Sequence, residues 1–75
     1  MEDDKNRILH YLEKNGTSHL RRLLLDLNIE YSRLINILDT LEKQKFIEKF
    51  SHGGYIYYRL TSEGFNQLHP TKDEE

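Results

Sequence analysis

The sequence predicts a mostly α-helical domain completed by a β-hairpin, in the order helix, helix, helix, strand, strand, helix. The prediction rests on three features. Two apolar stripes of helical spacing lie between Leu20 and Leu41, on either side of a short turn at Asn28-Ile29-Glu30. Gly53-Gly54 separates two segments rich in aromatic and β-branched residues, the signal of a two-residue hairpin turn. Thr61-Ser62-Glu63-Gly64 then opens a last helix with a capping hydroxyl and an acid in the first turn.

The first helix is expected over Asp4 to Asn15. Ile8, Leu9 and Leu12 form its apolar stripe with Tyr11 at the edge, and Gly16 ends it by adopting the left-handed conformation cheaply. Thr17 or Ser18 is placed to cap the second helix, with a short extra strand near Thr17-Ser18 as an option. Leu20, Leu23, Leu24 and Leu27 fall at i, i+3, i+4 and i+7 and so share one buried face. Leu25 points away from that stripe.

Asn28 stands where the chain must turn through positive φ, which Asn tolerates better than most residues. Ile29 plugs the space between two helices, and Glu30 or Tyr31 starts the third. Leu34, Ile37, Leu38 and Leu41 line its core face. At about 100° per residue, Ser32, Asn36, Asp39 and Lys43 point the opposite way, flanked by Arg33 and Thr40.

The first strand begins at Phe46-Ile47 and runs to about His52; the return strand spans Tyr55 to Leu60. A turn at Gly53-Gly54 sets His52 opposite Tyr55, Phe50 opposite Tyr57 and Glu48 opposite Arg59 on one face. Ile47, Lys49, Ser51, Ile56, Tyr58 and Leu60 take the other, which faces the core near its base. After the Thr61 cap, Phe65 and Leu68 are expected to return to the core, and Pro70 ends the helix.

A chain of 75 residues supports one domain with a modest core, expected over residues 4–69. The acidic ends, residues 1–3 and 70–75, read as disordered tails. The absence of cysteine excludes a disulfide framework, a thiol nucleophile and cysteine-based metal sites. No apolar run approaches the roughly 20 residues of a membrane span, and the acidic start suits neither a signal nor a transit peptide. A cytoplasmic protein with no membrane association is the expectation.

The net charge of −2 is unevenly spread. Residues 1–4 and 70–75 hold six acids against Lys72, a balance of −5, which leaves ten Lys/Arg against seven Asp/Glu, or +3, on residues 5–69. A mildly basic folded part permits phosphate binding without demanding it.

Taken together, Ile8-Leu9 and Leu12 before Gly16, Leu23 and Leu27-Asn28-Ile29, the stripe Leu34, Leu38 and Leu41, Phe46-Ile47-Glu48-Lys49 and the closing Tyr58-Arg59-Leu60-Thr61 resemble the winged helix-turn-helix superfamily. The resemblance is closest to small bacterial and archaeal regulators of the MarR, PadR and related types, and it covers roughly residues 5–68. It implies binding of double-stranded DNA and transcription regulation, with the third helix in the major groove and the hairpin, the wing, on the flanking backbone. Carried over by position, Tyr31, Ser32, Arg33 and Asn36 contact DNA from that helix. Lys43, Lys49, His52 and Arg59 supply backbone contacts. Arg33 can reach guanine or phosphate, and Asn36 can pair bidentately with adenine. The sequence departs from the family at Leu24, a position usually small, and at Asn28, often Gly. Glu30 and Asp39 add carboxylates beside the proposed DNA face, where each repels phosphate unless it accepts from cytosine or pairs with a neighbouring cation.

A second reading is a winged helix used as a protein-interaction module, with Leu25, Phe50, Tyr55 and Tyr57 as its sticky face. A homodimer would likewise have to use the wing or the terminal helices. No catalytic constellation stands out: Ser18, Ser32, Ser51 and Ser62 all fall at helix starts or turns, so an enzyme is not expected. His10, His19, His52 and His69 have no short metal-ligand spacing, and neither metal nor cofactor is expected.

Overall fold

In a computed structural model, which describes residues 3–70, four helices cover one face of a three-stranded antiparallel sheet. The chain runs α1 (Asp4–Asn15), β1 (Ser18–His19), α2 (Leu20–Leu27), α3 (Tyr31–Lys43), β2 (Ile47–His52), β3 (Tyr55–Leu60) and α4 (Ser62–Leu68). The sheet order is β1-β3-β2. No helix among the described residues is long and apolar enough to cross a membrane. The chain ends assigned to tails fall mostly outside the described residues. Asp3 does not belong with them: its carboxylate accepts from the Lys5 backbone N–H and caps α1.

The apolar stripes become the core. Ile8, Leu9 and Leu12 of α1 meet Leu23 and Leu27 of α2 and Leu34, Leu38 and Leu41 of α3, each buried. Ile29 plugs the turn, and Ile47 and Tyr58 close the cluster from the sheet. Asn28 adopts the left-handed conformation, φ 57° and ψ 43°, where the sequence required it. Leu25 is 69% exposed.

The hairpin register agrees with the turn at Gly53-Gly54, whose two glycines take φ 59° and 84°. All six pairings follow, from His52 opposite Tyr55 at the tip to Ile47 opposite Leu60 at the base.

Two local expectations are corrected. The cap of α2 is neither Thr17 nor Ser18. It is His19, whose Nδ1 accepts from the Arg22 backbone N–H at 3.3 Å. Ser18 instead pairs with Tyr58 as half of the extra strand, and its hydroxyl donates to the Gly16 carbonyl. Phe65 does not return to the core; it is 47% exposed and packs on the His69 ring. The residue of α4 that is buried is Gly64, which lies directly against the Phe46 backbone. That contact sets the rotation of the helix, bringing Leu68 inward one turn later and carrying Phe65 outward.

α3 ends without a glycine. Lys45 takes φ 69°, its N–H donates to the Glu42 carbonyl, and the Phe46 N–H donates to the Leu41 carbonyl. This is the Schellman arrangement, built on a lysine.

Candidate nucleic-acid interface

The proposed reading face of α3 is held from behind. Leu34, Leu38 and Leu41 are at most 1% exposed, so the helix is anchored along one side and Tyr31, Ser32, Arg33, Asn36, Asp39, Thr40 and Lys43 are exposed on the rest. The helix start is fixed by Glu30, whose Oε1 accepts from the Ser32 hydroxyl at 2.8 Å and from the Arg33 backbone N–H at 3.2 Å. These bonds, the Ser32 hydroxyl first, hold the Glu30 carboxyl below its ordinary value. One of the two awkward carboxylates is therefore a cap, and Ser32 is committed to it.

The hairpin is seated against α3 through Tyr58. Burial pushes its hydroxyl up in pKa, and the nearby Glu42, Tyr31 and Asp39 add to the shift. Lys49 reaches toward Glu42 across the same junction at 3.9 Å.

A clamp that sequence reading missed joins the helices on the other side. Asp4 accepts from Arg33 Nε at 2.7 Å and from Arg7 Nη1 at 3.1 Å. Arg7 Nη2 also donates to the Leu27 carbonyl at 2.5 Å, satisfying one of the free carbonyls at the end of α2. One carboxylate thus gathers the start of α1, the end of α2 and the start of α3. The Arg33 and Arg7 guanidiniums hold the Asp4 carboxyl below its ordinary range.

This has a consequence in acid. A carboxyl whose folded pKa is depressed adds stability above its unfolded value and loses it as pH falls through the folded one. The ordinary values are 4.5 for Glu30 and 3.8 for Asp4. The contribution should therefore begin to fade near pH 4.5 and continue to fade below 3.8. Melting temperatures from pH 7 to 2.5 should drop less for an Asp4→Asn/Glu30→Gln double variant than for the parent, and parallel curves would contradict the clamp.

The sequence-predicted contact residues form one continuous surface only in part. Ser32, Arg33, Asn36 and Lys43 share the α3 face, whereas Lys49, His52 and Arg59 belong to the hairpin, with His52 and Arg59 on its solvent side. Most of the cations are already engaged: Arg33 with Asp4, Lys43 with Asp39 at 3.3 Å, and Arg59 with Glu48 at 2.7 Å. From Glu30 to Arg59 the two elements carry Arg33, Lys43, Lys49 and Arg59 against Glu30, Asp39, Glu42 and Glu48, apart from the connecting Lys45. The face is electrically balanced, and its exposed pairs are the kind that exchange readily with solvent and with other anions. Among the described residues, the Asn36 side-chain amide has no partner and Tyr31 is 56% exposed.

The aromatic residues Phe50, Tyr55 and Tyr57 do come together on the solvent face of the sheet, and His19 of β1 joins them. Leu25 is not among the residues lining this face. The histidine escaped sequence reading because a two-residue strand carries no periodic signal. No protein-family model matches the chain, and neither a curated protein nor a solved structure shows significant similarity to it.

Proposed function

We propose that this chain is a winged helix-turn-helix protein that binds double-stranded DNA as a small transcriptional regulator. α3 lies in the major groove and the β2–β3 hairpin acts as the wing on the flanking backbone. The observation that carries the reading is the placement of α3. It follows α2 through a left-handed turn at Asn28, is anchored by buried leucines along one side, and presents its polar side to solvent beside a twisted hairpin.

In this reading Asn36, with its amide free, reads a base edge, and adenine is the partner that its paired donor and acceptor fit. Tyr31 donates to a phosphate oxygen at the helix start. Arg33 and Lys43 exchange their carboxylate partners for phosphates, so they add affinity but little sequence information. The role is one of binding, not catalysis.

The test is duplex binding measured by anisotropy across a salt series on a selected site. Affinity should fall steeply with salt, with a slope of about 0.9 per phosphate contacted. Asn36→Ala should weaken the preferred site by about 1–3 kcal/mol and relax discrimination at one base pair, leaving the salt slope unchanged. Undetectable binding to any duplex at low salt would remove the proposal.

A further inference from the structure

We propose that the solvent face of the sheet is a second nucleic-acid surface, a stacking platform for the unpaired bases of single-stranded DNA. Tyr57 is its hub. Its ring lies 5.7 Å from Phe50 in a near-parallel stack, 5.8 Å from His19 edge-on and 6.5 Å from His52. Tyr55 extends the cluster, 5.9 Å from His19. Five rings from three adjacent strands therefore share one side of a sheet whose other side meets the core at its base, through Ser18, Ile47 and Tyr58.

His19 caps α2 through its Nδ1, but the fold gives the other four rings no such task. Cross-strand pairing of two rings would stiffen the hairpin, but Tyr55 stays 59% exposed and Phe50 41% exposed. The surface already accepts a planar cationic group: the Arg59 guanidinium carbon lies 5.9 Å from the Phe50 ring centre. A base is planar and polarisable in the same way.

Charge selects the occupant. Arg21 and Arg22 flank the platform at the start of α2 and Arg59 at its opposite side, against Asp26 and Glu48. Among the described residues Arg21 has no acidic partner, and the Arg22 contact with Asp26 is long, 3.9 Å. A shallow groove lined by Asn15, His19, Arg22 and Tyr57 continues off the rings toward α1. Rings with an arginine rim match a chain of stacked bases with a phosphate backbone running along the edge. Four of these five rings also carry polar atoms that can hydrogen-bond to base edges or phosphate. The platform shares His52 and Arg59 with the proposed wing but takes no residue from α3, so a change on α3 separates the two readings.

The experiment uses the full chain and a fluorescein-labelled oligothymidylate of about 12 nucleotides, which stacks but cannot pair with itself. Binding should be measurable at ~50 mM salt and weaken as salt rises. Tyr57→Leu and Phe50→Leu should each lower affinity by roughly fivefold to a hundredfold, whereas Tyr57→Phe should retain it. Circular dichroism checks folding, and Tyr55→Leu, at the exposed hairpin tip, supplies a variant that cannot disturb the core. Asn36→Ala should leave oligothymidylate binding unchanged. Loss of duplex binding alone would therefore fall on the α3 proposal and leave this one standing. The platform is overturned if the oligonucleotide does not bind at low salt, if all the leucine variants bind like the parent, or if Asn36→Ala weakens it equally. It is also overturned if light scattering shows a dimer that Tyr57→Leu dissociates, because a second copy would then own the face.

Discussion

Replacing Gly64 by alanine should destabilise the domain by about 3 kcal/mol, the upper part of the range for forcing an extra carbon into a packed site. A Cβ there would overlap the Phe46 carbonyl oxygen and come within 2.7 Å of Leu60 Cδ1. The first of these is backbone and has little freedom to yield, because the same oxygen accepts from the Thr61 N–H at 3.1 Å. Relief would require α4 to lift off the sheet, which would also strain the Thr61 cap and the Glu13 to His69 contact that ties α4 to α1. Gly53→Ala is the informative comparison. Its added methyl meets open space, and its cost comes from φ 59° alone, about 1 kcal/mol. Urea unfolding followed by circular dichroism measures both. A Gly64→Ala midpoint indistinguishable from that of the parent would show that α4 is free to shift. In a domain of this size, a loss of about 3 kcal/mol is a large share of total stability.

Gly64 also marks the boundary of what could be read from the chain. Periodicity located α1, α2 and α3, because leucines at helical spacing have one way to reach a common core. Gly53-Gly54 set the hairpin register, because a two-residue turn leaves no freedom in which residues face each other. Contacts decided by distant parts of the chain were hidden. The rotation of α4 depends on a backbone approach to Phe46, so spacing alone assigns Phe65 to the core, whereas it is exposed. Lys45 occupies a left-handed position where glycine is the usual marker, so nothing local announced that turn. The same holds for the candidate site. The polar face of α3 was visible as a pattern, and so was the presence of two carboxylates beside it. What each carboxylate does was not visible. Glu30 caps its own helix, whereas Arg33 finds its acid 29 residues away at Asp4.

Those acids lead to the second large effect. If α3 binds duplex DNA, the domain holds its own competitors for phosphate, and removing them should strengthen binding. Asp39→Asn releases Lys43, and Asp4→Asn releases Arg33 while keeping one acceptor oxygen for Arg7. Each freed cation that reaches a phosphate adds about 0.9 to the salt slope, which amounts to about tenfold in affinity at ~50 mM salt. The two pairs lie toward opposite ends of α3 and share no partner, so the double variant should gain roughly a hundredfold. The gain should shrink as salt rises, and discrimination between sequences should not improve, because a phosphate contact positions without reading. Glu63→Gln, on α4, removes the same unit of charge away from α3 and separates a local effect from a change in net charge. If it raises affinity as much as Asp39→Asn does, the pairs on α3 are incidental. If neither α3 variant raises affinity and Asn36→Ala has no effect, DNA does not touch this helix. A gain confined to the α3 variants, steepest at low salt, would identify Asp4 and Asp39 as the residues that hold the affinity of the domain down.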